Sequence, residues 1–261
     1  MKNIIQMLNL IPEIRGKQRL LQIIDKYFGP FQAQTLKRFQ LSVYLSSPQD
    51  TSFFESIDKF PEWNPIHEIC KLKNKQTFVD IGANIGFYSL LAAQKVSPSG
   101  KVFAFEPSFR EYKRLIGNIE SNKIKNICSL NCALGDKMKN TSLLIEPFHS
   151  GLNKITLKTN KNQKFQNTLM FTFDHVFQFF NKKIELIKID TEGSEWRVLQ
   201  GMVGCLRKKQ VQKIVIEIHQ EYLRNNNIKK ELIYSFLKKY GFSPRFSFVD
   251  KDSYDEIFTL V

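Results

Sequence analysis

Cysteine is scarce and scattered. Cys70, Cys128, Cys132 and Cys205 are the four in the chain, and no two form a Cys-x-x-Cys pair. That excludes a disulfide framework and fits buried free thiols in a reducing cytoplasm. No apolar run reaches the ~18–20 residues that a bilayer span requires. The start, Met1 to Leu8, is broken by polar residues and has no small-residue cleavage site, so no secretory signal is expected. Internal repeats are absent. Histidine is rare, with four in 261 residues, so each one at a strand end carries information.

What is present is an ordinary globular composition, 42% hydrophobic and 25% charged, with 23 Phe and a net charge of +14. A chain of this length buries a sizeable core. A basic surface attracts phosphates, anionic glycans, nucleic acid or an anionic membrane face. The charge is dispersed, however, in short clusters such as Arg207-Lys208-Lys209 and Lys238-Lys239, which read first as solvated faces. Peripheral membrane contact is compatible with it. No feature of the sequence specifies an oligomeric state.

Residues 1–75 read as a mainly helical extension or cap. Ile14, Leu20, Leu21, Ile24, Tyr27 and Phe28 fall near helical spacing, and Gly29-Pro30 ends that segment. Phe39, Leu41, Val43 and Leu45 alternate as in a short strand or hairpin, and a short helix is expected over His67 to Leu72. From residue 76 to 261 strands and helices alternate. Strands are expected over 76–81, 101–106, 127–131, 184–190, 211–219, 244–249 and 256–261, and helices over 87–95, 110–121, 173–180, 194–207 and 229–240. Runs such as Ile184–Ile189 and Ile214–Ile218 are almost continuously apolar, as strands covered on both faces must be. The expected fold is α/β: a doubly wound, Rossmann-like, mostly parallel sheet with an antiparallel C-terminal strand. Residues 141–172 break the alternation and read as a β-insertion near the mouth of the site.

In such a sheet ligands bind beyond the carboxyl ends of the strands. That rule selects Asp80–Gly86, Glu106, Asn131–Asp136, Asp190–Gly193 and Glu217–His219. Gly82 and Gly86 allow a sharp turn close to a ligand. Asn84 replaces the middle glycine of a dinucleotide loop, and Asp80 would repel a pyrophosphate but suit a methionine ammonium. Glu106 is placed to accept hydrogen bonds from ribose hydroxyls. Asp190, Glu192 and Glu195 crowd three carboxylates into six residues, which suits a cationic ligand or proton transfer; Glu195 alone also suits a helix N-terminus. His219 ends the next strand and is a candidate general base. A metal site from Asp190, Glu217 and His219 is conceivable, but no compact ligand spacing supports it, and no metal is expected.

The segments Phe78-Val79-Asp80-Ile81-Gly82-Ala83-Asn84-Ile85-Gly86-Phe87-Tyr88-Ser89, Phe105-Glu106-Pro107, Ala133-Leu134-Gly135-Asp136, Ile187–Glu195 and Glu217-Ile218-His219 together resemble the FkbM-type methyltransferases. The resemblance spans roughly residues 76–249. It implies an S-adenosylmethionine-dependent methyltransferase, most often an O-methyltransferase of sugars or small metabolites. The cofactor contacts it implies are Asp80, Gly82, Asn84, Gly86, Phe87, Glu106, Pro107, Ala133 and Asp190. The expected catalytic residues are His219 or Glu192 as base, with Asp190 orienting. Substrate choice is assigned to residues 1–75 and 141–172.

The expected partner is thus a small-molecule or glycan acceptor. Nucleic acid is disfavoured, because crowded carboxylates repel a phosphate backbone and no Asn/Asp-Pro-Pro-aromatic stretch follows the fourth strand. A non-catalytic binding module of the same fold and a nicotinamide-dependent dehydrogenase are the remaining alternatives. Asn84 in the loop argues against the second.

Overall fold

The computed structural model describes residues 33–36, 39–44, 64–146, 150–156, 164–245 and 252–261. The expected helix around Ile14–Phe28, and most of the strand expected over 244–249, lie outside them.

β1 (Ala33–Leu36) and β2 (Leu41–Tyr44) form an antiparallel hairpin. α1 (Asn64–Cys70) precedes β3 (Thr77–Ile81), α2 (Phe87–Val96), β4 (Lys101–Phe105), α3 (Phe109–Ser121) and β5 (Ile127–Leu130). A second sheet then intervenes, built from β6 (Ala133–Leu134), β7 (Lys139–Ile145), β8 (Lys154–Thr156) and β9 (Lys164–Phe171). The chain returns through α4 (Phe173–Val176) to β10 (Leu186–Ile189), α5 (Glu195–Gln200), α6 (Val203–Arg207) and β11 (Lys213–His219). It ends with α7 (Gln220–Asn225), α8 (Lys230–Lys239), β12 (Phe242–Pro244) and β13 (Ser253–Leu260).

The main sheet has the order β12-β13-β11-β10-β3-β4-β5. β11, β10, β3, β4 and β5 are parallel, and β13 runs antiparallel to β11 and β12. After β3 the chain moves outward to β4 and β5, then comes back to β10 on the other side of β3. The strand order therefore reverses at the β3–β10 pair, where such sheets open a ligand crevice.

Alternate side chains of each central strand enter different cores. Val79, Ile81, Ile187, Ile214 and Ile216 join one cluster with α4, α5 and α6, while Phe78, Leu186 and Val215 join another with α2. Every residue of β3 and β10 is buried, which accounts for the continuous apolar runs. Each such Ile, Leu or Phe contributes about 1.5–3 kcal/mol of transfer free energy. The hairpin packs on the second core through Leu36, Phe39, Leu41 and Val43. Asn122, just past α3, pins its edge, donating to the Ser42 carbonyl (2.6 Å) and accepting from the Ser42 N–H (2.9 Å).

The helix expected over 194–207 is two helices. Asp174 is the reason: its carboxylate accepts from the N–H groups of Gly204 (2.6 Å) and Cys205 (2.8 Å), which starts α6 afresh. Gly201 at the break lies so close to Gly135 that a Cβ would meet its carbonyl oxygen at 2.0 Å. The helix expected over 173–180 ends at Val176, and α7 was not anticipated. Cys70 and Cys128 are exposed rather than buried. Among the described residues no helix is long and apolar enough to cross a membrane.

Candidate active site at the sheet tips

The turn from β3 into α2 is held to its neighbours by backbone contacts that demand glycine. Gly82 has φ +81°, and a Cβ there would lie 1.8 Å from the Asp190 carbonyl oxygen. Its N–H and that of Ala83 donate to the Phe105 carbonyl (3.0 and 2.9 Å). The tips of β3, β4 and β10 are thereby drawn together. Asn84 is also left-handed, with φ 51°, a conformation that Asn tolerates better than most residues. Gly86 has φ +91°, and its missing side chain makes room for Leu115 of α3, whose Cδ1 would lie 2.3 Å from a Cβ.

Glu106 closes the second tip. One carboxylate oxygen accepts from the Asn84 N–H (2.8 Å) and the other from the Ser108 N–H (2.7 Å). Each oxygen keeps a lone pair for a ligand hydroxyl. Burial and the neighbouring Glu111 push this carboxyl up to about 8, against the pull of those two N–H groups.

The third and fourth tips hold a dense set of charges. Asp190 follows β10, and Lys188 Nζ donates to its Oδ2 (3.0 Å). Glu195 is fully buried. Its Oε1 accepts from the Thr191 N–H (3.2 Å), the Thr191 hydroxyl (3.2 Å) and the Gly193 N–H (2.9 Å), so it fixes the turn as well as standing at a helix start. The same oxygen faces His219 Nδ1 at 3.2 Å, while Nε2 faces Glu192 at 3.5 Å and Glu217 at 3.4 Å. Burial alone would lower the ring's pKa, but the bonds to Glu195 and Glu217 and the charges of Glu195 and Glu192 override it and raise it to about 11. His219 is therefore charged at neutral pH and offers no lone pair. The base role expected of it does not fit this environment. Burial and the Asp190 charge push Glu192 up to about 8. Burial pushes Asp190 up to about 6, with Lys188 opposing. Glu217 goes the other way, to about 2, because His219 more than offsets its burial.

Of the residues expected in a cofactor site, Gly82, Asn84, Glu106, Pro107, Ala133 and Asp190 line one cleft, joined by Glu192. The cleft's free interior is about 60 Å³. Asp80 is not in its wall. The register of β3 on β10 sets Asp80 beside Lys188. There the carboxylate is fully buried, accepts from the Ser89 hydroxyl (2.6 Å) and lies 4.0 Å from Lys188 Nζ. Gly86 acts through the turn, and Phe87 is a core residue in edge contact with Phe39 (5.8 Å). Asp190, Glu192 and His219 offer atoms all within 4.8 Å of one another, a spacing a divalent cation also uses, with Lys188 and the charged His219 ring already supplying positive charge.

Sequence reasoning missed Lys188, a buried charge inside an apolar strand; that incongruity was its signal. It also missed how the insertion is anchored. Asn153 and Ile155 of the insertion line the cleft. Asn153 donates to buried Glu111 (3.2 Å), and Gln166 donates to the Pro107 carbonyl (2.8 Å) and accepts from the Phe109 N–H (2.9 Å). Long-range polar pairs of this kind leave no local pattern.

Comparison with known proteins agrees with this architecture. The family model of the Methyltransferase FkbM domain matches residues 80–244. Methyltransferase 1 of Beauveria bassiana is 23% identical over 155 residues, which is 52% of this chain and 62% of that protein. The hexuronic acid methyltransferase AglP of Haloferax volcanii is 27% identical over 142 residues, 54% of each. The chain spans between half and two thirds of the length of these curated relatives. The crystal structure of methyltransferase FkbM from Methylobacillus flagellatus KT superposes with a TM-score of 0.51 at 14% identity, covering 87% of this chain and 57% of that one, and shares its fold. With a matching family model over most of the chain and a reversing parallel sheet whose tips meet at one cleft, the chain belongs to the FkbM methyltransferase family, whose methyl donor is S-adenosylmethionine.

Proposed function

We propose that the chain transfers a methyl group from S-adenosylmethionine to a hydroxyl oxygen of a sugar, glycan or small metabolite. The observation that carries this reading is the single cleft shared by the Gly82 turn, Glu106, Asp190 and Glu192. The donor's chemistry fits these residues. Gly82, lacking a Cβ, lets the β3 turn close against the Asp190 carbonyl and so brings Asp190 to the same cleft. Glu106 has lone pairs for ribose hydroxyls, and Asp190 and Glu192 offer negative charge to a sulfonium and an ammonium. Bound there, S-adenosylmethionine supplies an electrophilic methyl carbon on a sulfonium that leaves as a neutral thioether.

A sugar hydroxyl is a weak nucleophile until its proton leaves. Glu192 is the base of this reading: it lines the cleft, and its carboxyl is held at about 8, close to the working pH where a general base is most effective. Glu192 would take the acceptor hydroxyl's proton and so leave its oxygen nucleophilic towards the donor's methyl group. Asp190, fixed by Lys188, orients the acceptor, and His219 pairs with Glu195 and holds Glu217 ionised without taking a proton itself. Holding the acceptor in line is expected to supply much of the rate. The name of the Haloferax volcanii relative supports a sugar acceptor. The same carboxylates oppose a nucleic-acid backbone.

The test is calorimetry with S-adenosylmethionine followed by incubation of cell extract with methyl-labelled donor and mass spectrometry of the products. Donor binding and a labelled glycan or metabolite are expected. No donor binding, or undiminished binding by Glu106→Ala, refutes the reading. Binding without any labelled product favours a non-catalytic module.

A further inference from the structure

Tyr222 of α7 sits directly on the turn that carries Glu192. A Cβ on Gly193 would lie 2.6 Å from Tyr222 Cβ and 3.0 Å from its Cγ. The ring centroid is 5.8 Å from that of His219, at an interplanar angle of 42°. From the insertion, Lys154 reaches the same ring. It lies on β8 between cleft-lining Asn153 and Ile155, and its Nζ is 4.5 Å from the Tyr222 centroid. The insertion and α7 thus meet through an ammonium on an aromatic face, beside the turn that carries the candidate base.

The Lys154 position is chemically unusual for a cation so near this site. Glu192 and Glu217 stand at the His219 ring that Tyr222 faces, yet Lys154 pairs with no carboxylate among the described residues and rests on the ring instead. Both acids are engaged by His219. The ammonium keeps its N–H donors, and cation–π contact does not consume them. An anionic acceptor would be repelled by Glu192 and Glu217 unless a cation met its charge. Lys154 is placed to do so, and Tyr222 offers an apolar platform with a polar tip.

We propose that Lys154 and Tyr222 form the acceptor subsite and select a sugar acid, with the sugar ring against Tyr222, its carboxylate on Lys154 and its hydroxyl towards Glu192. This rests on the methyltransferase reading above and names its acceptor class. Lys154 is a specificity-determining residue in this scheme.

The test uses the full chain saturated with S-adenosylhomocysteine and two probes that differ only at C6, methyl β-D-glucuronide and methyl β-D-glucoside, with affinities from ligand-observed NMR titration. The glucuronide is expected to bind roughly tenfold or more tightly than the glucoside, as a charge-assisted hydrogen bond implies. Lys154→Gln should erase that preference, Lys154→Arg should keep it, and both should bind S-adenosylhomocysteine like the wild type. Equal affinities, a preference that survives Lys154→Gln, or no binding of the glucuronide would overturn the subsite. Intact S-adenosylhomocysteine binding in those cases leaves the methyltransferase reading standing. A chain that binds no S-adenosylhomocysteine sinks both.

Discussion

Glu106 makes donor binding depend on pH. In the empty protein its carboxyl is held at about 8, chiefly by burial and by Glu111. The ionised form is the one that accepts hydrogen bonds through both oxygens, from Asn84 and Ser108 and then from ribose hydroxyls. Binding therefore selects the ionised form and releases a proton. Only about a tenth of the protein is ionised at this group at pH 7 and about a hundredth at pH 6. Affinity should then be about tenfold below its plateau at pH 7 and about a hundredfold below at pH 6, levelling off above pH 8. Calorimetry in buffers of different ionisation enthalpy reads the released proton directly, close to one per site near pH 7. The ligand's own ammonium contributes equally to wild type and variant, so the difference from Glu106→Gln isolates this residue. That variant should lose the share of the release and of the pH dependence that Glu106 carries, leaving only what Glu192, also raised to about 8, contributes. Its amide has one acceptor oxygen for two backbone N–H groups, so about 1–3 kcal/mol of folding stability is at stake. In the empty wild type the raised value has the opposite sign for folding: Glu106's contribution is complete below about 4.5 and is lost as pH rises through about 8. A donor affinity that is flat from pH 6 to 9, or a proton release that Glu106→Gln leaves intact, would refute the assignment.

Three further outcomes follow from the site. Gly82→Ala places a Cβ 1.8 Å from the Asp190 carbonyl oxygen at φ +81°; with backbone meeting backbone, about 2–4 kcal/mol of stability should be lost, read from the urea midpoint, and an unchanged midpoint would exclude the close approach. Methyl-transfer kcat/KM should rise with pH through an apparent value between about 6 and about 8, set jointly by Asp190 and Glu192; Glu192→Gln should flatten that limb and lower the rate by roughly 10²–10⁴-fold, whereas a full-rate variant would move the base elsewhere. His219→Gln strips the cation from buried Glu195 and should cost about 3–5 kcal/mol; because the ring is raised from 6.5 to about 11, its contribution is complete below pH 6.5 and fades towards 11, so denaturation curves of the two proteins should converge as pH rises.

The parallel sheet was legible because its strands are buried on both faces, and Thr77–Ile81, Lys101–Phe105 and Lys213–His219 fall within two residues of their expected bounds. The insertion was legible as an interruption of rhythm, and its strands appear as β7, β8 and β9. The rule that ligands meet the carboxyl ends of strands found Glu106, Asp190 and Glu192, all in the cleft wall. It could not tell a residue on the rim from one beneath it. Asp80 is the penultimate residue of β3 while Glu106 follows β4, and pairing with β10 sets Asp80 against Lys188, inside the protein. The charge around His219 was hidden for a related reason: Glu195 and Glu217 are 24 and two residues away in sequence, and only folding brings both to its ring. The break at Gly201 depended on Asp174, 30 residues upstream of the N–H it caps.

Lys188 explains how so many carboxylates coexist at one end of the sheet. Strand alternation puts Asp80, Lys188 and Glu217 on the same face as Phe78, Leu186 and Val215, two positions further along β3, β10 and β11. Asp255 of β13 pairs with Glu217 in register and extends the row. A buried ammonium normally loses its proton, but Asp190 and Asp80 outweigh that penalty and push its pKa up, and the face of Tyr88 lies 4.7 Å away. The cation is internal and permanent, 4% exposed, so it neutralises Asp80 and steadies Asp190 without entering the cleft. Of the carboxylates that reach the cleft, Asp190 is held by Lys188 and Glu192 faces the His219 ring, whereas Glu106 has no cationic partner among the described residues; Glu106 and Glu192 are both raised to about 8. The unpaired charge of Glu106 at the rim is what suits a site for a cationic donor. It also gives the pH response of donor binding its physical origin, since the missing positive charge arrives only with the ligand.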